Sequence, residues 1–254
     1  MARFVRFLRN EEEGPLWGLV NNDDKFLEIE GDRFTRYNVT DREINPKDVR
    51  ILPPCVPGKI VCVGLNYAGH AKELNMELPK EPLFFIKTPN TVIGHKDKIK
   101  MPEISARVDY EAELAIIIKN DIKNIDEDEV EKNVLGYTCF NDVTARDIQK
   151  ADGQWSRAKC FDTFGPMGPY FTRKINPDNV EIKLLLNGEE KQGSNTSDFI
   201  FKTGFLVSYI SKMMTLNRGD VITTGTPPGI GSLSKGDRVE VEIEGIGKLL
   251  NYVE

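Results

Sequence analysis

Residues 108–120 read VDYEAELAIIIKN, placing Asp109, Glu111 and Glu113 at every second position before an unbroken apolar run. In a strand, residues i and i+2 share a face about 6.6 Å apart, so Glu111 and Glu113 point the same way with Asp109 beside them. One reading is a half-exposed strand with a solvated acidic face. Against it, LAIIIK continues without alternation, the pattern of a strand buried on both faces. Asp142 closes a second apolar run in CFNDVTARD, in a loop before a helix, a common station for a functional carboxylate. Three carboxylates from two strands suit a hard cation, Mg2+ or Mn2+. The histidines and cysteines show no zinc-ligand spacing.

A second pair with chemical potential is His70 and Glu73, three apart on a short predicted helix, where their side chains can meet. A carboxylate beside an imidazole fixes its tautomer and raises its basicity, which makes a general base for water. The other histidine, His95, sits in GHKDK and reads as a surface residue. The four cysteines, Cys55, Cys62, Cys139 and Cys160, lack C-x-x-C spacing, and three read as buried free thiols, pointing to the reducing cytoplasm.

The elements that must carry these groups are short strands with few helices. Residues 1–56 hold alternating pieces (FVRFLR, LWGLVN, KFLEIE, FTRYNV) between NEEEGP, NNDD and EGDR turns, a small β-rich N-terminal domain. After the proline-rich ILPPCVPGK, residues 57–254 form the main domain. There KIVCVGLN, PLFFIKTP and LGYTCFND read as strands, and NYAGHAKELN as a short helix capped by Asn66. An Asp126–Glu129 capping box opens another helix, VTARDIQK forms a third, Asn187-Gly188 turns a hairpin, and FKTGFLVSYISKMMT is the clearest amphipathic helix. The expected fold is mixed α/β, mainly β, a roll or barrel.

Composition excludes several function classes. The 254 residues carry a net charge of −6 with no basic block, against nucleic acid or an anionic membrane as partner. Arginines interrupt the N-terminal MARFVRFLRN, so no signal-peptide core forms. The apolar run from Leu114 to Ile118 is far short of the ~20 residues that a membrane span needs. GTPPGIG lacks the G-K-[ST] of a phosphate loop.

Five collinear segments, GLNYAGHAKE, DYEAELA, GYTCFNDVTARDIQ, RAKCFDTFGPMGP and ITTGTPPGIG, resemble the fumarylacetoacetate hydrolase family over about residues 58–254. The likeness is greatest to its short acylpyruvase, oxaloacetate decarboxylase and hydroxymuconate-type isomerase members. The resemblance implies Glu111, Glu113 and Asp142 as ligands of Mg2+ or Mn2+, with open positions for a 2-oxo acid. It implies Arg146, Gln149 and Thr226 as substrate contacts, Lys159 as an oxyanion donor, and Thr163 near the metal. Without it, Arg146 and Lys159 read as solvated surface groups. His70, oriented by Glu73, would activate water within a segment that orders over substrate, with a mobile glycine at 69. The product of such a site is pyruvate enolate plus a carboxylic acid; decarboxylation would need no attacking water. The family also implies a homodimer. Rival readings are tautomerisation of hydroxymuconate-type diacids, dehydration of 2-oxo-3-deoxy sugar acids, and a non-catalytic barrel in which a cation only staples strands.

Overall fold

The computed structural model describes residues 2–10, 14–32, 36–73 and 77–254. The predicted turn at residues 11–13, the start of the FTRYNV strand and the end of the NYAGHAKELN helix lie outside the described residues. The chain is predominantly β. Its largest sheet runs, in spatial order, through strands Arg36–Ile44, Phe26–Asp32, Leu16–Val20, Arg3–Leu8, Gly165–Thr172, Val134–Asn141, Ala112–Ile118, Val221–Thr223, Ile60–Gly64 and Leu83–Lys87. The N-terminal strands extend this sheet, because Phe4 and Val5 pair with Phe171 and Tyr170. A five-stranded sheet carries the Asn187-Gly188 hairpin, whose two turn residues both have positive φ, as a two-residue hairpin turn requires. A third sheet of three short strands joins Thr144–Ala145, Val108–Tyr110 and Gly231–Ser232.

The run AELAIII is buried at every position because it is covered on both faces. Ala115 and Ile117 pack into the cluster containing Leu135 and Phe171. Ile116 and Ile118 pack beneath Leu206, Val207 and Ile210 of the amphipathic helix Thr203–Met213. Burying such a side chain fully is worth about 1.5–3 kcal/mol, so this strand is the most firmly held carrier available for a functional residue. Among the described residues, no helix is long and apolar enough to cross a membrane.

Three local expectations need correction. VDYEAELAIII is not one strand: pairing breaks at Glu111, leaving Val108–Tyr110 in the small sheet and Ala112–Ile118 in the large one. At the break the Asn141 side chain stands in for a backbone partner, accepting the Glu111 N–H at 2.9 Å. Asn66 does not cap the helix Ala68–Glu73. Its amide donates to the Phe201 and Thr224 carbonyls and accepts the Phe201 N–H, all at 3.1 Å or less, stitching three segments together. His95 is half-buried rather than on the surface, its Nδ1 accepting the Leu250 N–H at 3.2 Å. Burial pushes its imidazole down to about 4.

A histidine whose folded pKa is depressed stabilises the fold above its ordinary value near 6.5 and loses that contribution as the pH falls towards 4. His95→Gln should therefore flatten the acid limb of stability. Urea unfolding from pH 7 to pH 4 should show wild type losing roughly 2 kcal/mol more than the variant. Parallel curves would contradict this origin.

Candidate active site

Glu111, Glu113 and Asp142 come together at the break between the two sheets. Each offers an oxygen within 4.8 Å of the others, and all three are buried. Glu113 stands on the firmly packed strand, opposite Phe140. Asp142 follows the neighbouring strand, with its N–H donating to the Glu111 carbonyl at 2.8 Å. The backbone therefore fixes the relative placement of Glu111 and Asp142 before any side-chain contact is made.

Three buried like charges repel strongly, so cations must answer them. Lys159 donates to Glu111 Oε2 at 2.9 Å and to Asp142 Oδ2 at 2.6 Å. Lys87 donates to Asp142 Oδ1 at 2.6 Å, and Arg146 to Glu111 Oε1. Burial alone would raise the Glu111 carboxyl, but Lys159 and Arg146 outweigh it and hold it at about 2. The same pairing outweighs burial at Lys159, whose ammonium is held above its ordinary range by Asp142 and Glu111. Glu113 differs. It accepts the Gly225 N–H at 2.8 Å and pairs with no cation among the described residues. Burial, and then the charge of Asp142, push its carboxyl well above the usual range.

This donor set fits a divalent cation. All ligands are hard oxygens, the carboxylates already bound by Lys and Arg retain lone pairs, and Glu113 is a buried acid that lacks a positive partner. Asp109 is not part of the cluster. It is fully buried and receives Arg107 through Nε at 2.8 Å and Nη2 at 3.2 Å, and Arg146 Nε at 2.8 Å, which fixes the guanidinium that reaches Glu111 and the Gln149 amide oxygen.

The triad forms one wall of a cavity of about 260 Å³ also lined by His70, Arg146, Gln149, Lys159 and Thr226. His70 Nδ1 lies 2.8 Å from Glu73 Oε2 on the helix Ala68–Glu73. The Glu73 carboxylate also accepts the Gly229 N–H at 3.1 Å, tying that helix to the Gly/Pro turn. Leu65, just before the helix, lines the cavity with φ +50, a left-handed conformation that costs a non-glycine residue about 1 kcal/mol. Thr226 accepts from Gln192, whose own oxygen takes the Ala112 N–H, so the five-stranded sheet also braces the site.

Thr163 does not join the cavity. Its hydroxyl accepts the Lys100 N–H at 2.8 Å, and its φ is +71. The sequence reading missed Lys87, Lys150, Phe85 and Trp155. For Lys87 and Phe85 a signal exists, since LFFIK puts them two apart on one strand face, the lysine ending an apolar run.

Fold and cavity together define an enzyme whose carboxylate cluster is suited to a divalent ion. The chain belongs to the fumarylacetoacetate hydrolase family: residues 59–254 match the model described as fumarylacetoacetate (FAA) hydrolase C-terminal, and residues 2–54 match Rv2993c-like, N-terminal. It is 43% identical to the mitochondrial oxaloacetate tautomerase fahd2 of Xenopus laevis, over 83% of this chain and 70% of that one. Among solved structures it resembles a 2-hydroxyhepta-2,4-diene-1,7-dioate isomerase from Mycobacterium marinum, with TM-score 0.91 and 38% identity over 100% and 98% of the two chains. It also resembles the fumarylacetoacetate hydrolase of Exiguobacterium antarcticum, with TM-score 0.89 and 32% identity over 100% and 99%.

An acid whose folded pKa is raised destabilises the fold as pH climbs above its ordinary value near 4.5. Glu113→Gln should therefore melt higher than wild type at pH 8 in chelator, with the gap closing near pH 4.5. Added Mg2+ should raise the melting temperature of wild type and not of the variant. Equal responses to Mg2+ would remove Glu113 from the ligand set.

Proposed function

We propose that this protein acts on small 2-oxo acids at Glu111, Glu113 and Asp142 loaded with Mg2+ or Mn2+, cleaving the bond beyond C3 as an acylpyruvase-type hydrolase or decarboxylase. The observation that carries this reading is that His70, paired with Glu73, lines the same cavity as the three acids. A divalent cation there would chelate the carboxylate and 2-oxo oxygens and draw in the charge that develops as the bond breaks.

The protein's own groups supply the rest. His70 takes a proton from water, Glu73 holding the imidazole tautomer, and the hydroxide adds to the distal carbonyl. Lys159 has two donors on Glu111 and Asp142, leaving its third for the oxyanion. The C3–carbonyl bond breaks with its electron pair remaining on C3, and His70 returns the proton there, giving pyruvate and a carboxylic acid. Arg146 fixes the Gln149 oxygen, so the Gln149 amide nitrogen and the Thr226 hydroxyl face the substrate carboxylate. Oxaloacetate would decarboxylate in the same place without water. The working unit is proposed to be a homodimer in the cytoplasm.

The relatives named as a tautomerase and an isomerase favour a second reading, in which His70 moves a proton directly at C3 and no carbon–carbon bond breaks.

Pyruvate release from acetylpyruvate and oxaloacetate, measured with Mg2+ and after exhaustive chelation, tests the first reading. Wild type should require the ion, and His70→Ala should lose about 100-fold or more in turnover of acetylpyruvate. Keto–enol exchange of oxaloacetate with no pyruvate formed would replace hydrolysis by tautomerisation.

A further inference from the structure

Two hydrogen bonds fix the Lys159 ammonium only in part. Its distances to Glu111 Oε2, 2.9 Å, and Asp142 Oδ2, 2.6 Å, confine Nζ to an arc rather than a point. The third contact is aromatic. The ammonium lies over the face of Phe85, 5.0 Å from the ring centroid, and both side chains line the cavity. Phe85 stands two residues before Lys87 on the strand Leu83–Lys87, hence on the same face, and Lys87 donates to Asp142 Oδ1 at 2.6 Å. One strand face therefore holds Asp142 directly at one oxygen and, through Lys159, at the other. The ring is itself held in place. Trp155 meets it edge to face at 5.2 Å, and the Trp155 carbonyl accepts the Lys159 N–H at 3.0 Å across the one-turn helix Ser156–Lys159. Gly64 leaves room for the indole, since a Cβ there would come within 3.0 Å of it.

We propose that Phe85 is a positioning residue that holds the Lys159 ammonium ready for the oxyanion; this rests on the hydrolytic reading above. Among the described residues the ammonium makes no third hydrogen bond. A third carboxylate would grip the spare N–H in the resting site and have to be displaced as the oxyanion forms, stabilising the ground state at the expense of the transition state. The negative face of a ring attracts the charge without claiming one N–H in a fixed direction. The ammonium is thus fixed while its donor stays available. Because the oxyanion develops only during reaction, weakening that face should lower kcat and leave KM in place.

Mono-, di- and trifluorinated phenylalanines placed at position 85 test this, because fluorine drains the ring face stepwise while changing the volume little. Two measurements are made on the full-length protein: acetylation of Lys159 relative to the other lysines without substrate, and kcat and KM for acetylpyruvate with Mg2+. Labelling of Lys159 should rise stepwise along the series, and kcat should fall stepwise by roughly tenfold at the trifluoro ring, with KM unchanged. Phe85→Tyr, which keeps an electron-rich face, should behave as wild type, and Phe85→Leu should lose at least as much kcat as the trifluoro ring. Flat labelling, or a kcat that ignores the fluorines, overturns the role of Phe85 and leaves the hydrolytic reading standing. If wild type releases no pyruvate from acetylpyruvate, that reading falls and this one with it.

Discussion

Three buried carboxylates forced within 4.8 Å of one another impose the constraint from which the rest of the site follows. Such a cluster is strongly unfavourable until positive charge enters it. Lys87, Lys159 and Arg146 supply part of that charge, and Asp109 with Arg107 supplies the next layer, orienting Arg146 from behind. Glu113 is left without its share. A site that is neutral by count yet has one acid unprovided for is poised to accept a divalent ion, and the cations around Glu111 keep that carboxylate ionised.

The location of this cluster follows from topology. Glu111 lies where one sheet hands over to another, so its backbone is free of a regular ladder and can turn both carboxylates inward. The five-stranded sheet reaches in through Gln192, which holds the start of the Glu113 strand and the Thr226 hydroxyl together. Placement is thus distributed over three rigid sheets. The His70 segment, by contrast, rests on a six-residue helix tied down through Asn66 and Glu73. The acid–cation cluster is built into the core, and the His70–Glu73 pair is attached to its rim.

Much of this was legible in the sequence because it is local. A period of two placed Glu111 and Glu113 on one side, an apolar run announced the doubly buried strand, and an i, i+3 spacing brought His70 to Glu73. What escaped was non-local. Lys87 meets Asp142 across 55 positions and Asn66 binds Thr224 across 158, and neither distance leaves a trace in spacing. Asn66 followed by a helical stretch looks like a cap, but its amide is more useful joining loops, where its donors and acceptor are all satisfied. The break at Glu111 was hidden for a similar reason: a side chain, Asn141, replaces the missing rung. His95 was misjudged because flanking lysines say nothing about a strand edge packed on top of it.

The pairing of Phe4 and Val5 with Phe171 and Tyr170 has a consequence for how the chain can be cut. Phe4 stacks on Phe171 at 5.0 Å and Trp17 meets the same ring edge-on at 6.0 Å. Removing the first fifty or so residues would not lift off an accessory module. It would strip a neighbour from the strand Gly165–Thr172, baring unpaired amides and an aromatic ring on a sheet margin, the kind of surface that recruits foreign strands and leads to aggregation.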